Sequence, residues 1–394
     1  MELLLELIYN GFLFAMLGLW VMGMVKVRRP GGFARWLRSH KRFSVALVWG
    51  VFIVFASCYV AFFSTLNQDH DIPEAVNGAV NGLDQGLNPY VDPVVPRFDT
   101  TDDLGHTLGM GTYNYLPFDL MVYAGMHGML SFAGFPAWFV VSNLFFSLLA
   151  FYLFKDLVRV KALYYIPLAG TVILFYSFDN CSLTVLLMVL SLYSLRILKG
   201  RNSEMMSIGL MGLAVLTKVY AVLPFIVLVL WLLQRRYQEH GFRGALRVLT
   251  ASGGIAGLGV LLLLPFGVGN VLDSAVFFHL SAATRDGTSS GGTVLAELAM
   301  NNAYYAYIAI GAVIAAILAS IRLRDLNDRV VLVSIVFLLV VVKSSLSLVT
   351  IPGLFLSIRY CELARAASAV KAARPTRTPH AERLSTGSQP EDAG

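Results

Sequence analysis

"MMSIGLMGLAVLTKVYAVLPFIVLVLWLL", residues 205–233, is almost unbroken apolar sequence with a single charge, Lys218, near its middle. Read as one helix, it would run about 44 Å. That exceeds the hydrocarbon thickness of a bilayer, about 30 Å. It would also hold an ammonium group in mid-membrane, where charge is expensive. Two short spans, 205–217 and 219–233, explain the stretch better, with Lys218 at the turn between them on a membrane surface. Short spans of this kind thin the bilayer locally or tilt less.

The same reading extends outward. Of 394 residues, 57% are hydrophobic and 14% charged, against about a quarter charged in soluble domains. Further apolar runs occupy 3–25, 44–64, 136–154, 162–178, 182–198, 248–266, 302–321, 330–342 and 346–360. With the two around Lys218 they make eleven, and the expected fold class is an all-α, polytopic transmembrane helical bundle. The alternation of an outer-membrane barrel is absent. The first run is too long for a signal-peptide core and lacks a small-residue cleavage site, so it reads as a retained span. The apolar stretch 116–132 is laid along the outer interface, because a span there would put Lys155, Arg159 and Lys161 outside. Cys58, Cys181 and Cys361 are scattered and suggest neither a disulfide framework nor a metal site.

The net charge of +6 does not point to nucleic acid once its distribution is read. Lys26, Arg28, Arg29, Arg35, Arg38, Lys41 and Arg42 follow the first span with no acid among them. That is the pattern of a cytoplasmic loop. Residues 67–114 hold eight acids and one base, Arg97, and are expected outside. With eleven spans, only Arg97, Lys218, Arg285 and Lys343 of the 30 basic residues fall on the outer side. The expected organisation is an extra span with its basic loop over 1–43, a transmembrane core over 44–360 with an outer loop at 65–135, and a cytoplasmic tail over 361–394. The end of that tail is rich in Pro, Ser, Thr and Arg and is expected to be disordered.

Chemistry is sought on the outer side, where acids and isolated cations meet. Asp69 and Asp71 follow the second span directly, which fixes their depth near the interface. A carboxylate there can take a proton from a hydroxyl as a general base. Asp71 is favoured for its spacing to Asn88, Pro89 and Tyr90; an exposed loop is also polar for no chemical reason. Lys218 and Lys343 interrupt apolar runs, where a lysine is either functional or snorkels to the surface. Arg285 lies in "FFHLSAATRDGTSSGG", 277–292, six residues after His279. Together these cations could hold a phosphate, which needs several donors to offset its charge.

"DIPEAVNGAVNGLDQGLNPY", 71–90, resembles the first outer loop of the multispanning C-type (GT-C) glycosyltransferases. The branch it resembles contains the polyprenyl-phosphate-mannose-dependent α-mannosyltransferases. There an Asp, matched by Asp71, precedes a Gly-x-x-Pro-Tyr-like stretch, matched by Gly86 to Tyr90. A Tyr-x-Pro motif opening an interfacial segment is matched by Tyr115-Leu116-Pro117. "FDNCSL", 178–183, is similar to a short outer turn and aligns Asp179 and Asn180. Gly-Leu-Ala-x-x-x-Lys ends at Lys218, and "KSSLSLVTIP", 343–352, resembles a late Lys-x-x-Ser element. The family often has an aromatic where Ala75 stands, and a glycine and glutamine where Asp179 and Asn180 stand.

The resemblance implies a GT-C-like bundle that moves a hexose, mannose by analogy, from a polyprenyl-phosphate donor to a lipid or glycan acceptor. Inversion at the anomeric carbon would use Asp71, or Asp69, as base. Lys218, Arg285, His279 and Lys343 would hold the donor phosphate, and Asn88, Tyr90, Tyr115, Asp179 and Asn180 would contact substrate. A monophosphate donor needs no cofactor and no metal, although the Asp-His-Asp spacing at 69–71 could bind a divalent ion. Membrane lipids are the other expected partners. The site would face outside, across the plasma membrane in a prokaryote. A lipid or small-molecule transporter or flippase is the first alternative; it leaves the long acidic outer loop unexplained. A non-catalytic membrane subunit is the second.

Overall fold

A computed structural model describes residues 71–101, 107–159, 161–175, 181–198, 202–277, 305–340 and 350–372, with scattered positions between 45 and 57. The expected span over 3–25, the basic loop after it, Asp69, Asp179, Asn180, His279, Arg285, Lys343 and the end of the tail lie outside the described residues.

The described chain is predominantly helical. Helix α1 (Asp71–Asp84) opens with Pro73 in its first turn, where a missing N–H leaves no bond unmade. Ala75, Val76, Ala79 and Val80 are buried, which is one helical face. A Schellman turn ends it: Leu87 N–H donates to Gly82 O at 2.9 Å and Gly86 N–H to Leu83 O at 2.9 Å. Gly86 has φ 77°, which glycine adopts without strain.

An antiparallel ribbon follows, β1 (Val95–Thr101) and β2 (Thr107–Gly111), with Val95 opposite Gly111. The acidic composition of this loop carried no strand signal. Helix α2 (Pro117–Leu130) starts at a proline, and Leu116 before it is extended (φ −76°, ψ 153°), as a pre-proline residue must be. Its 14 residues span about 21 Å, short of a bilayer core.

Helix α3 (Ala137–Val158) is long and apolar enough to cross a membrane. It buries Trp138, Phe139, Phe146 and Phe154 and exposes Val140, Val141, Leu144, Phe145 and Leu148. An exposed apolar stripe on a buried-core helix is what a lipid-facing surface looks like. Helices α4 (Ala162–Ala169), α5 (Ser182–Arg196) and α6 (Ser203–Val215) follow. Hydroxyl pairs stitch α5 to α6: Ser191 to Ser207 at 2.9 Å, and Thr184 to Thr217 of the turn at 2.7 Å. Small polar residues let apolar helices approach closely.

The expected break at Lys218 is present. Helix α6 stops at Val215, Lys218 is extended (φ −135°, ψ 121°), and a single 3-10 turn (Val219–Ala221) leads into α7 (Val222–Leu263). Helix α7 is also long and apolar enough to cross a membrane, and by length it would reach about 63 Å. It is a hairpin instead. Arg236 on its first arm bonds Glu204 near the start of α6 at 2.6 Å. On its second arm, Ile255 crowds Gly212 and Leu216 crowds Gly259, further along α6. The two arms therefore run in opposite directions beside one helix, and the chain reverses at Gly241 (φ 61°, ψ −150°).

The sequence predicts a loop over 234–247 here, but helix fills it to either side of Gly241. Arg235 and Arg236 both pair with Glu239 one turn away, which favours helix to the very end of the first arm.

After a 3-10 turn (Leu264–Phe266), helix α8 (Val268–Leu272) caps the second arm. Helices α9 (Tyr305–Ser320), α10 (Leu326–Val340) and α11 (Thr350–Ala372) complete the described fold. Helix α11 continues 12 residues past 360, where the sequence places the last span's end.

Two ends of the bundle differ in chemistry. At the end holding Glu204 and Arg236, Arg196 of α5 bonds Glu362 of α11, and Arg359 meets Asp328 at 3.1 Å and Asp325 at 3.6 Å. Arg329 reaches Gln234 at 2.7 Å. The opposite end holds Lys218 and the outer-loop elements.

Candidate functional site

The Lys218 end is built from three separate pieces of chain. The turn between α6 and α7 supplies Lys218, the segment from β2 into α2 supplies Tyr113, Tyr115 and Asp119, and the turn after α1 supplies Asn88 and Tyr90. Each piece has a local reason for its shape. Lys218 sits where α6 has run out and α7 has not begun. Leu116 is extended because Pro117 follows, and Tyr115 sits in the bend just before it. Asn88 folds its own turn, accepting from Tyr90 N–H at 3.1 Å while its N–H donates to Asp92 Oδ2 at 2.7 Å.

Long-range bonds bring the pieces together. The Asn88 amide donates to Phe266 O at 3.0 Å, tying the loop to the end of the α7 hairpin. Tyr90 hydroxyl donates to Tyr115 O at 2.7 Å. A chain of edge-on rings runs Phe266–Tyr90–Tyr113–Tyr115, with centroids 5.2, 5.8 and 5.4 Å apart. It ends on Lys218, whose Nζ stands 3.1 Å from the Tyr115 ring centroid. Quadrupolar ring faces attract a desolvated cation by about 2 kcal/mol. Lys218 is only 5% exposed, so it is not a lysine snorkelling to water.

Sequence reasoning missed Asp119. It lies in the first turn of α2, 3% exposed, and accepts from the Tyr113 hydroxyl at 2.9 Å. Burial pushes its carboxyl up to about 6, against the Lys218 charge and the Tyr113 hydrogen bond, which both hold it down. Burial, and then the Asp119 charge, raises the Tyr90 and Tyr113 phenols well above their usual range, so both stay protonated donors. A signal was present: 116–132 holds a single carboxylate among mostly apolar residues, and that carboxylate is one turn past Tyr115.

The sequence-derived candidates thus divide. Asn88, Tyr90, Tyr115 and Lys218 are brought into one cluster. Of Asp71, the backbone alone is described. It opens α1, whose 14 residues put it about 20 Å from Asp84 at the other end, where the Asn88 turn departs. Asp84 itself pairs with His127 at 3.4 Å. Asp69, Asp179, Asn180, His279, Arg285 and Lys343 lie outside the described residues. Among the described residues no group of three His, Cys, Asp or Glu is placed to hold a metal ion.

The cluster can bind an anion through Lys218 and can hold or release one proton at Asp119. Asn88 and Tyr115 are partly exposed, and so is Asn114 beside them, which opens it to the surface. No known protein family's profile, no curated protein and no solved structure matches this chain.

Proposed function

We propose that the chain is a multispanning membrane hexosyltransferase. It would move a hexose, mannose by its resemblance, from a polyprenyl-phosphate donor to a lipid or glycan acceptor on the outer membrane face. The proposed architecture is an eleven-span GT-C-like bundle, in the plasma membrane if the host is a prokaryote. One observation carries this reading: Lys218 contacts Tyr115, 103 positions away, and Tyr115 in turn holds Tyr90. Lys218 is singled out by its place in an apolar run, and Tyr115 and Tyr90 by the resemblance.

The chemistry runs as follows. The donor's prenyl tail stays in lipid while its phosphate lies at the interface against Lys218, joined by Arg285, His279 and Lys343. Asp71, with Asp69 as its rival, takes the proton from the acceptor hydroxyl. The acceptor oxygen bonds to the anomeric carbon as the bond from that carbon to the phosphate oxygen breaks. Polyprenyl phosphate leaves as an anion, so no acid is needed opposite the base. Inversion follows from attack on the far side of the sugar.

The test is to incubate purified protein in vesicles with labelled polyprenyl-phosphate hexoses and a mixture of membrane lipids and glycans. Labelled glycolipid or glycan is the expected product. Passage of the intact donor between leaflets, with no new glycoside, would instead favour a flippase.

A further inference from the structure

We propose that Asp119 makes the Lys218 site a proton-coupled anion site: a phosphodiester binds Lys218 together with one proton taken up by the Asp119 carboxylate. This rests on the donor-phosphate reading of Lys218 and deepens it.

The argument begins with charge. Lys218 and Asp119 are both almost fully buried at the same end of the bundle, and the Lys218 charge acts directly on Asp119. With both ionised, Lys218 and Asp119 together carry no net charge. An arriving phosphodiester brings one negative charge, and among buried side chains a second anion beside the first raises the energy of both. Protonation of Asp119 removes that repulsion and leaves the Lys218 charge for the ligand. The proton has a place to reside, because a neutral carboxyl keeps both donor and acceptor capacity beside Tyr113.

The groups facing Asp119 from each element are consistent with one titration. They are Lys218 from the α6–α7 turn, Tyr113 after β2, Tyr90 after α1, Tyr123 on α2 itself, and Tyr220 from the 3-10 turn. Tyrosine hydroxyls titrate far above pH 7, so the proton goes to the carboxylate, which burial already holds near 6. A bound anion raises it further. Binding therefore weakens as pH rises from about 6 towards the bound-state midpoint, at most about tenfold per pH unit for one proton, and levels off above that midpoint.

The probe is methyl farnesyl phosphate, a phosphodiester. Unlike a monoester, whose second proton leaves near pH 6, it keeps a constant charge across the range. Titration calorimetry of the full chain in vesicles at pH 7, in two buffers of different ionisation heat, counts protons taken up. Between half and one proton per bound ligand is expected. Binding with no uptake overturns the inference while leaving the phosphate site standing. No binding from pH 5.5 to 8 overturns both.

Two variants separate coupling from mere structural support. Asp119→Asn should bind with a flat pH profile and take up no proton. Tyr113→Phe, which deletes a hydrogen bond to the carboxylate, should move the midpoint to higher pH. A Tyr113→Phe midpoint unchanged or shifted down overturns the assignment to Asp119 even if Asp119→Asn fails to fold.

Discussion

Lys218 shows how one residue can decide between readings of a chain. Its 5% exposure excludes the snorkelling role, and its seat over Tyr115 gives it an aromatic face instead of water. Tyr115→Leu keeps most of the volume but loses the ring, removing a cation–π attraction of about 0.5–2 kcal/mol. If Lys218 holds the donor phosphate, donor KM should rise about 2–30-fold in steady-state transfer assays. Lys218→Ala should raise it further or lower turnover, with expression intact. An unchanged rate in Lys218→Ala would remove it from the site. The base is tested separately. Asp71→Asn should bind donor normally and lose about 10²–10⁴-fold in turnover. Asp84→Asn should lose far less, since Asp84 pairs with His127 at the opposite end of α1. Near-normal turnover in Asp71→Asn, with a selective loss in Asp69→Asn, would move the role to Asp69.

At the scale of elements, the α6–α7 contact depends on missing side chains. A Cβ at Gly212 would lie 2.2 Å from Ile255 Cγ2, so Gly212→Val must separate two closely packed helices. Overpacking of this kind costs about 1–3 kcal/mol. Gly241→Ala forces a side chain into a backbone region that glycine alone occupies, for a similar cost. Both variants should lower the melting temperature in detergent, whereas alanine at Gly257, where nothing lies within 4 Å, should not. A Gly212→Val protein as stable as the parent would disprove the hairpin packing.

These elements also show what the sequence makes legible. Apolar length and one misplaced charge locate the helices from α3 to α7 and the break at Lys218, because burial in lipid or in the core imposes them locally. The proline at 117 announces the start of α2 for the same reason. The ribbon of β1 and β2 was not legible, since its few apolar residues are interspersed with proline, glycine and charged residues and show no strand alternation. Nor was the site legible as a whole. Tyr115 and Lys218 could each be picked out alone, but their contact across 103 positions leaves no periodic trace. Asp119 was overlooked because one acid among apolar neighbours reads as tolerated until its burial is seen.

For the molecule as a whole, the two ends carry different chemistry, and this should map onto the two sides of a membrane. The end rich in Arg196, Arg236, Arg329 and Arg359 fits the cytoplasmic side, where basic residues accumulate. A membrane-impermeant thiol reagent on intact cells should therefore label a cysteine placed at position 100 and spare one placed at 380. The reverse pattern would sink the topology, and the outer site with it.

The ionic network at that end joins residues made far apart in time. Arg196 precedes its partner Glu362 by 166 positions. Translation at about 5–20 residues per second leaves roughly 8–33 seconds between them. Throughout that interval the half-formed bundle carries an arginine with no carboxylate from α11 to meet it. Arg359 arrives within the same turn as Glu362 and engages Asp325 and Asp328. The last described helix thus works as a clasp that closes on everything synthesised before it. A ribosome that stalls before α11 would release a chain that has the preceding helices but whose ionic end stays electrostatically open, a mark by which quality control could tell the unfinished protein from the finished one.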